Sequence, residues 1–469
     1  MPQDSESPIF YDPTQHRWRY YKIFVALASV ALSAAFIAVL YSIFTKDDLP
    51  ALNIQNPAPN YRSGPLAYKP GTTFQSVISG NPPANQNKNL NANNSSKALK
   101  KIIPQTAPAT APESYKPKII AFYVNWDDTS FTSLKENVGN IDELVPEWLH
   151  LSDADGNIII DDQMRQSQTL DFLKKNNPNL PVAPLINNYS SDSQSWDSNT
   201  LAKMLENPDA RAKNIDNILG FVQENGFSGV SIDYESIPPG SQPSFVQFIQ
   251  ELSAKFHPLG LKVSASVPVA DNSFDLKTLS ENTDFLILMA YDEHSAEDMA
   301  GPVASQNWFA KSLAGDFSKL DPNKTVVALG NYGYDWIKGE TSNNTYSFQR
   351  AVTVARESEG AVTLDPGNLN ETYSYYDDNN VLHDVFFLDA VTAFNEMIEA
   401  GRYRPRGFAL WRLGSEDPSI WQVFADRQNL GSSTAEKIKK VNYGYGINYE
   451  GRGEVLKVAA SPNAGKREL

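Results

Sequence analysis

The 469-residue sequence contains no cysteine. That absence excludes disulfides, thiolate metal sites and a cysteine nucleophile together, but it assigns no compartment, because many exported proteins also lack cysteine. Histidine is scarce too. His16, His150, His257, His294 and His383 are the only five, and no two stand at ligand spacing, which argues against a metal-dependent deacetylase within the chain. Neither a metal nor a cofactor is expected. A positive excess is also missing: 40 Lys and Arg stand against 55 Asp and Glu, for a net charge of −15. Nucleic acid and anionic bilayer surfaces repel such a chain, so a neutral or cationic ligand fits better.

In one place charge is absent altogether. Residues 23–44, IFVALASVALSAAFIAVLYSIF, hold no charged side chain over about the 20 residues a helix needs to cross a hydrocarbon core. Arg17, Arg19 and Lys22 precede the run, whereas Lys46 is followed at once by Asp47 and Asp48. The positive-inside rule therefore predicts a cytoplasmic tail at 1–22, a single-pass anchor at 23–44 and an extracytoplasmic remainder. The run ends in Tyr41, Ile43 and Phe44 rather than a small-x-small cleavage site, which favours an uncleaved anchor over a signal peptide.

Residues 45–115 are rich in Pro, Asn, Ser and Ala, as in NPPANQNKNLNANNSS at 81–96, and read as a flexible, disordered linker. From Lys118 the texture changes to short apolar runs separated by amphipathic stretches, the pattern of strands joined by crossover helices. The expected strands are 119–126, 147–152, 180–186, 229–235, 262–270, 284–292, 325–333 and 407–413. Eight of them predict an α/β fold, a (β/α)₈ TIM barrel over 116–431. The segment 199–224 predicts a helix ended by Gly226, with Leu201, Met204, Leu205, Ile215, Ile218, Leu219 and Val222 at mostly three- and four-residue spacings. Within 360–389, TYSYYDDNNVLHDVFFLD predicts a hairpin turned at Asp378 to Asn380, a small insertion between strands seven and eight. Asp389 suits a helix N-cap. Residues 432–469 read as an extension or the start of a further module.

In GVSIDYE the strand period of two puts Ser231, Asp233 and Glu235 on one face and Ile232 and Tyr234 on the other. The two acids therefore point together, at the end of the fourth strand where barrel enzymes carry their chemistry. An acid-x-acid pair alone would equally suit a solvated turn, as Asp153-Ala154-Asp155 shows.

The residues also resemble a known family. Glycoside hydrolase family 18 carries D-x-x-D-x-D-x-E on its fourth strand, and the matching positions are Ser228, Ser231, Asp233 and Glu235. MAYD at 289–292 resembles the family's M-x-Y-D, and Trp411 matches the tryptophan under its bound sugar. GNYGYDW at 330–336 and VFFLDA at 385–390 resemble members similar to spore-cortex lytic enzymes. IFYDPTQHRW at 9–18 and GFALWRLGSEDPSIW at 407–421 resemble the N-terminal part of three-part bacterial membrane proteins, in which a family 18-like domain precedes a polysaccharide deacetylase and a family 2 glycosyltransferase.

The resemblance implies a chitinase-like hydrolase of N-acetylglucosamine polymers at the outer face of the bacterial inner membrane. In such a hydrolase the substrate's own N-acetyl oxygen attacks the anomeric carbon. Glu235 would then be the proton donor, Asp233 the partner of the acetamide N–H, and Tyr291 the holder of its carbonyl. Trp411, Trp126, Tyr123, Asp292, Tyr332 and Ser231 would line the sugar. Because Ser231 and Ser228 stand where the family has acids, a second reading is a weak or inactive carbohydrate-binding module that guides a polysaccharide to fused or partner enzymes.

Overall fold

Each of the eight apolar runs contributes one strand of a closed parallel barrel in the computed structural model. It describes residues 115–440, apart from Glu297 and Ser342, together with the two-residue strand Arg62–Ser63. The expected anchor at 23–44, the rest of the linker and the tail beyond 440 lie outside the described residues. Among the described residues, no helix is long and apolar enough to cross a membrane.

The barrel strands are β1 Lys118–Val124, β2 Glu143–Leu151, β3 Leu185–Asn187, β4 Gly229–Asp233, β5 Lys262–Pro268, β6 Phe285–Met289, β7 Thr325–Gly330 and β8 Gly407–Trp411. They pair in parallel in numerical order, and β1 closes on both β8 and β2. Alternation sorts the side chains. Ile120, Phe122, Val145, Leu185 and Ile287 fill the barrel interior, whereas Ile119, Ala121, Val263 and Ala265 pack outward in the large cluster shared with the helices. At the same interior phase, β4 and β5 supply Ser231, Ser264 and Ser266, all buried. These small polar residues leave room beside Asp233.

Several expectations change in detail. The helix foreseen at 199–224 is two, Ser198–Glu206 and Pro208–Asn225, because Pro208 starts a new helix capped by Asn207. Gly226 ends the second with φ 67°, the left-handed position that favours glycine. The start of the expected C-terminal extension, Ser432–Lys440, is helical and buries Ala435 and Ile438, carrying the barrel packing past residue 431. Asp389 caps Ala390–Ala400 with a full capping box.

The insertion between β7 and β8 is larger than one hairpin. Its sheet joins Tyr332–Ile337, Asn343–Ser347, Thr363–Leu364, Glu371–Tyr376 and Leu382–Phe387, with Arg62–Ser63 paired at its edge to Tyr376 and Tyr375. The helix Phe348–Glu357 covers one face and forms a separate core with Tyr373, Val385 and Phe387. From the other face, Tyr332, Tyr334 and Trp336 pack against Tyr291 and Trp411. The insertion therefore builds one wall at the barrel mouth.

Candidate active site

β4 is buried along its whole length. Ile232 and Tyr234 face the helices, where the Tyr234 hydroxyl donates to Asn214 Oδ1 at 2.9 Å. Ser231 and Asp233 face the interior, and Glu235 follows half-buried just beyond the strand end. The Glu235 backbone is held from both sides by one side chain: Asn188 Oδ1 accepts its N–H at 2.9 Å and Asn188 Nδ2 donates to its carbonyl at 3.1 Å. Ser236 next to it has φ 53°, so the chain turns sharply after the acid.

Burial, then the like charges of Asp233 and Asp292, push the Glu235 carboxyl well above the usual carboxylate range. That rise favours the protonated form, the one a general acid needs. Asp233 is pushed up to about 7, first by burial and then by Glu147, with Ser266 opposing. Among the described residues, neither Asp233 Oδ1 nor Ser231 Oγ has a hydrogen-bond partner. A buried carboxylate oxygen without a donor is costly, and this one lies in the interior beside Glu235. Burial and then the charges of Asp233 and Glu235 push the Tyr291 phenol well above its ordinary value, which keeps it a donor.

Tyr291 stands edge-on to Tyr332, ring centroids 6.0 Å apart. Asp292, accessible at the mouth with φ 62°, accepts from the Tyr332 hydroxyl and from Tyr334 at 2.9 Å. Trp411 ends β8, edge-on to Phe122 at 5.3 Å, and its peptide bond to Arg412 is cis. Trp126 is 61% exposed beyond β1. The Arg412 guanidinium lies 4.1 Å over its ring and is fixed by Asp127 at 2.7 Å.

Two expected site residues lie elsewhere than foreseen. Tyr123 shares the outward face of Ile119 and Ala121 and accepts from Thr169 at 3.0 Å, so it belongs to the strand–helix layer and not to the mouth. Tyr332 is not on β7, which ends at Gly330; it opens the first strand of the insertion and meets the site through Asp292. Sequence reasoning also missed Asn188, Tyr334 and Arg412, and with them Glu147, a buried acid within the apolar VPEWLHL run. An acid at an interior phase of a buried strand was the signal available for Glu147. Among the described residues, no cluster of three His, Asp or Glu side chains is arranged to hold a metal ion.

The profile of glycosyl hydrolases family 18 matches residues 118–443. The chain is 24% identical over 311 residues to the uncharacterized glycosylase YvbX of Bacillus subtilis, covering 64% of this chain and 89% of that protein. It is 24% identical over 257 residues to a cortical fragment-lytic enzyme of the same species, and there it spans 50% of this chain and only 58% of the relative. Among solved structures, a chitinase from Chromobacterium violaceum superposes with a TM-score of 0.62 at 21% identity, over 67% of this chain and 99% of the other. The Bacillus cereus spore cortex-lytic enzyme SleL does so with 0.58 at 18% identity, over 66% of this chain and 74% of SleL. At these identities the structural likenesses speak for the fold.

Proposed function

The chain belongs to glycosyl hydrolases family 18, and on that premise we propose that it cleaves a polysaccharide containing N-acetylglucosamine by a retaining, substrate-assisted route. The observation that carries this reading is the buried, unpartnered Asp233 Oδ1 beside Glu235, whose carboxyl burial and like charges push well above the usual range. Glu235 protonates the leaving glycosidic oxygen while the substrate's acetamide oxygen attacks the anomeric carbon. Asp233 accepts the acetamide N–H and offsets the positive charge that develops on the ring so formed. Tyr291 donates to the acetamide carbonyl and holds it in line, an intramolecular arrangement for which effective molarities reach about 10⁵ to 10⁸ M. Trp411 floors the sugar, with Trp126 as an outer platform and Asp292 orienting hydroxyls. The charge-free run 23–44 and the basic residues before it support an extracytoplasmic barrel on the bacterial inner membrane. The resemblance at 9–18 and 407–421 supports partner deacetylase and glycosyltransferase modules.

The test is release of reporter from fluorogenic N-acetylglucosamine oligomers by the full chain, with the anomer formed first followed by NMR. Release with retained β-configuration is expected. Binding of the oligomers without any release would instead favour the guiding, non-hydrolytic module.

A pH profile carries a second expectation. Glu235 must be protonated to act, so kcat/KM falls as pH rises through its raised pKa. Asp292→Asn removes one of the two charges that lift it, and the alkaline limb moves to lower pH. An unmoved limb would mean that Asp292 does not act on Glu235.

A further inference from the structure

The barrel interior holds a second buried carboxyl for which the reaction above has no use. Glu147 is 8% exposed on β2. Its Cα is in register with Leu185 on β3, which is in register with Ser231 on β4; one level up, Asn187 is in register with Asp233. Asn187 links the two levels, because its Nδ2 donates to Glu147 Oε1 at 3.2 Å. The amide cannot turn round. Its Oδ1 already accepts the Tyr189 N–H at 3.1 Å and lies 2.7 Å from His150 Nδ1, which leaves Nδ2 for Glu147.

The two carboxyls are unequally provided for. Around Glu147 stand Asn187, the Trp126 indole, His150 and Asp161; burial raises its pKa, the first three oppose the rise and Asp161 adds to it. Around Asp233 stand Ser266, Glu235 and Tyr291, and no donor reaches its Oδ1. Ser231, between them in the register, carries no charge. In a shared low-dielectric interior two such groups do not both ionise readily, and the better-solvated one takes the charge. That group is Glu147.

We propose that Glu147 is a positioning residue for the hydrolysis: its carboxylate, held on β2 by Asn187, governs whether Asp233 carries a proton when substrate arrives. This rests on the reading that Asp233 meets the acetamide. No atom is transferred to substrate from Glu147; the pair holds one proton, on Asp233 in the free protein and on Glu147 once Asp233 accepts the acetamide N–H.

The experiment compares the full chain with Glu147→Gln, Glu147→Asp, Asp233→Asn and the double variant Glu147→Gln/Asp233→Asn. The first readout is thermal midpoint against pH, which needs no substrate. Because the native pKa of Asp233 lies above its unfolded value, the stability tied to its proton is present at low pH and lost as pH rises toward about 7. Removing the Glu147 charge lowers the native pKa of Asp233, so the midpoint lost between pH 5 and pH 8 shrinks in Glu147→Gln and returns in Glu147→Asp. In the Asp233→Asn background the Gln substitution changes that loss far less. The second readout is the pH profile of oligomer hydrolysis. Its Asp233-dependent limb moves to lower pH in Glu147→Gln, with KM little changed.

An equal effect of Glu147→Gln with and without Asp233 would overturn the proposal, since Glu147 would then titrate alone. A wild-type chain that cleaves nothing removes the hydrolase reading and with it the positioning role, while the thermal cycle still decides whether the two carboxyls are coupled. Should Glu147→Gln not fold, Asn187→Ala asks the same question. Losing the donor weakens the charge on Glu147, and the Asp233 limb again moves down; no movement overturns the proposal.

Discussion

Replacing Glu235 by glutamine is expected to lower kcat by about 10² to 10⁴-fold, the usual worth of a positioned general acid, while KM for N-acetylglucosamine oligomers stays close to that of wild type. Glutamine keeps the shape and loses the proton. Its backbone would still be held on both sides by Asn188, so the side chain stays where the leaving oxygen must be met. Stability should not fall with activity. Burial and the charges of Asp233 and Asp292 raise the native pKa of Glu235, so its contribution is present at low pH and lost as pH rises through that value. A neutral amide escapes this loss, and at pH 8 the variant should melt no lower than wild type. Turnover within tenfold of wild type, measured on protein with an unchanged melting curve, would remove Glu235 from the role of acid.

The acid pair was legible because it is local. Period-two alternation in GVSIDYE places Ser231 and Asp233 inward with Glu235 just beyond, and the packing of Ile232 and Tyr234 outward follows the same rule. All eight barrel strands were legible too, as short apolar runs that only burial on both faces explains. Phase failed where a run could be entered at either parity. Tyr123 looks like a mouth residue at the end of IIAFYV, yet Ile120 and Phe122 take the interior positions and leave it outside. Continuity failed at TVVALGNYG, which reads as one strand over 325–333. The break at Asn331 is fixed by groups distant in sequence, its Nδ2 donating to the Asp389 carbonyl and its Oδ1 accepting the Asp417 N–H. Glu147, Asn187 and Asn188 reach the site only through closure of the barrel, a non-local event that local pattern does not encode.

The same limit hides the charge centre of the insertion, where Asp335→Ala is expected to cost about 3–5 kcal/mol, the range found when one partner of a buried ionic network is removed. Asp335 is 1% exposed. Its Oδ2 accepts from the hydroxyls of Tyr346 at 2.6 Å and Tyr375 at 2.8 Å, and its Oδ1 meets His383 Nδ1 at 2.9 Å. Alanine would leave two buried hydroxyls and an imidazole without that acceptor.

Titration makes the prediction specific. Burial alone would lower the pKa of His383, but Asp335, Asp377 and Asp384 outweigh it and hold the value above 6.5. The stability from His383 is therefore full below its unfolded pKa and lost as pH rises through the native one. In the variant the Asp335 share of that rise is lost, so the gap in denaturation midpoint between wild type and Asp335→Ala should be widest near pH 6 and narrower at pH 9. The alternate side chains of the same strand, Tyr332 and Tyr334, carry the hydroxyls that hold Asp292. Loosening the strand should thus raise KM at temperatures where the variant is still folded. A gap of equal size at both pH values would mean that the imidazole does not titrate with folding, and the ionic account of this network would fall.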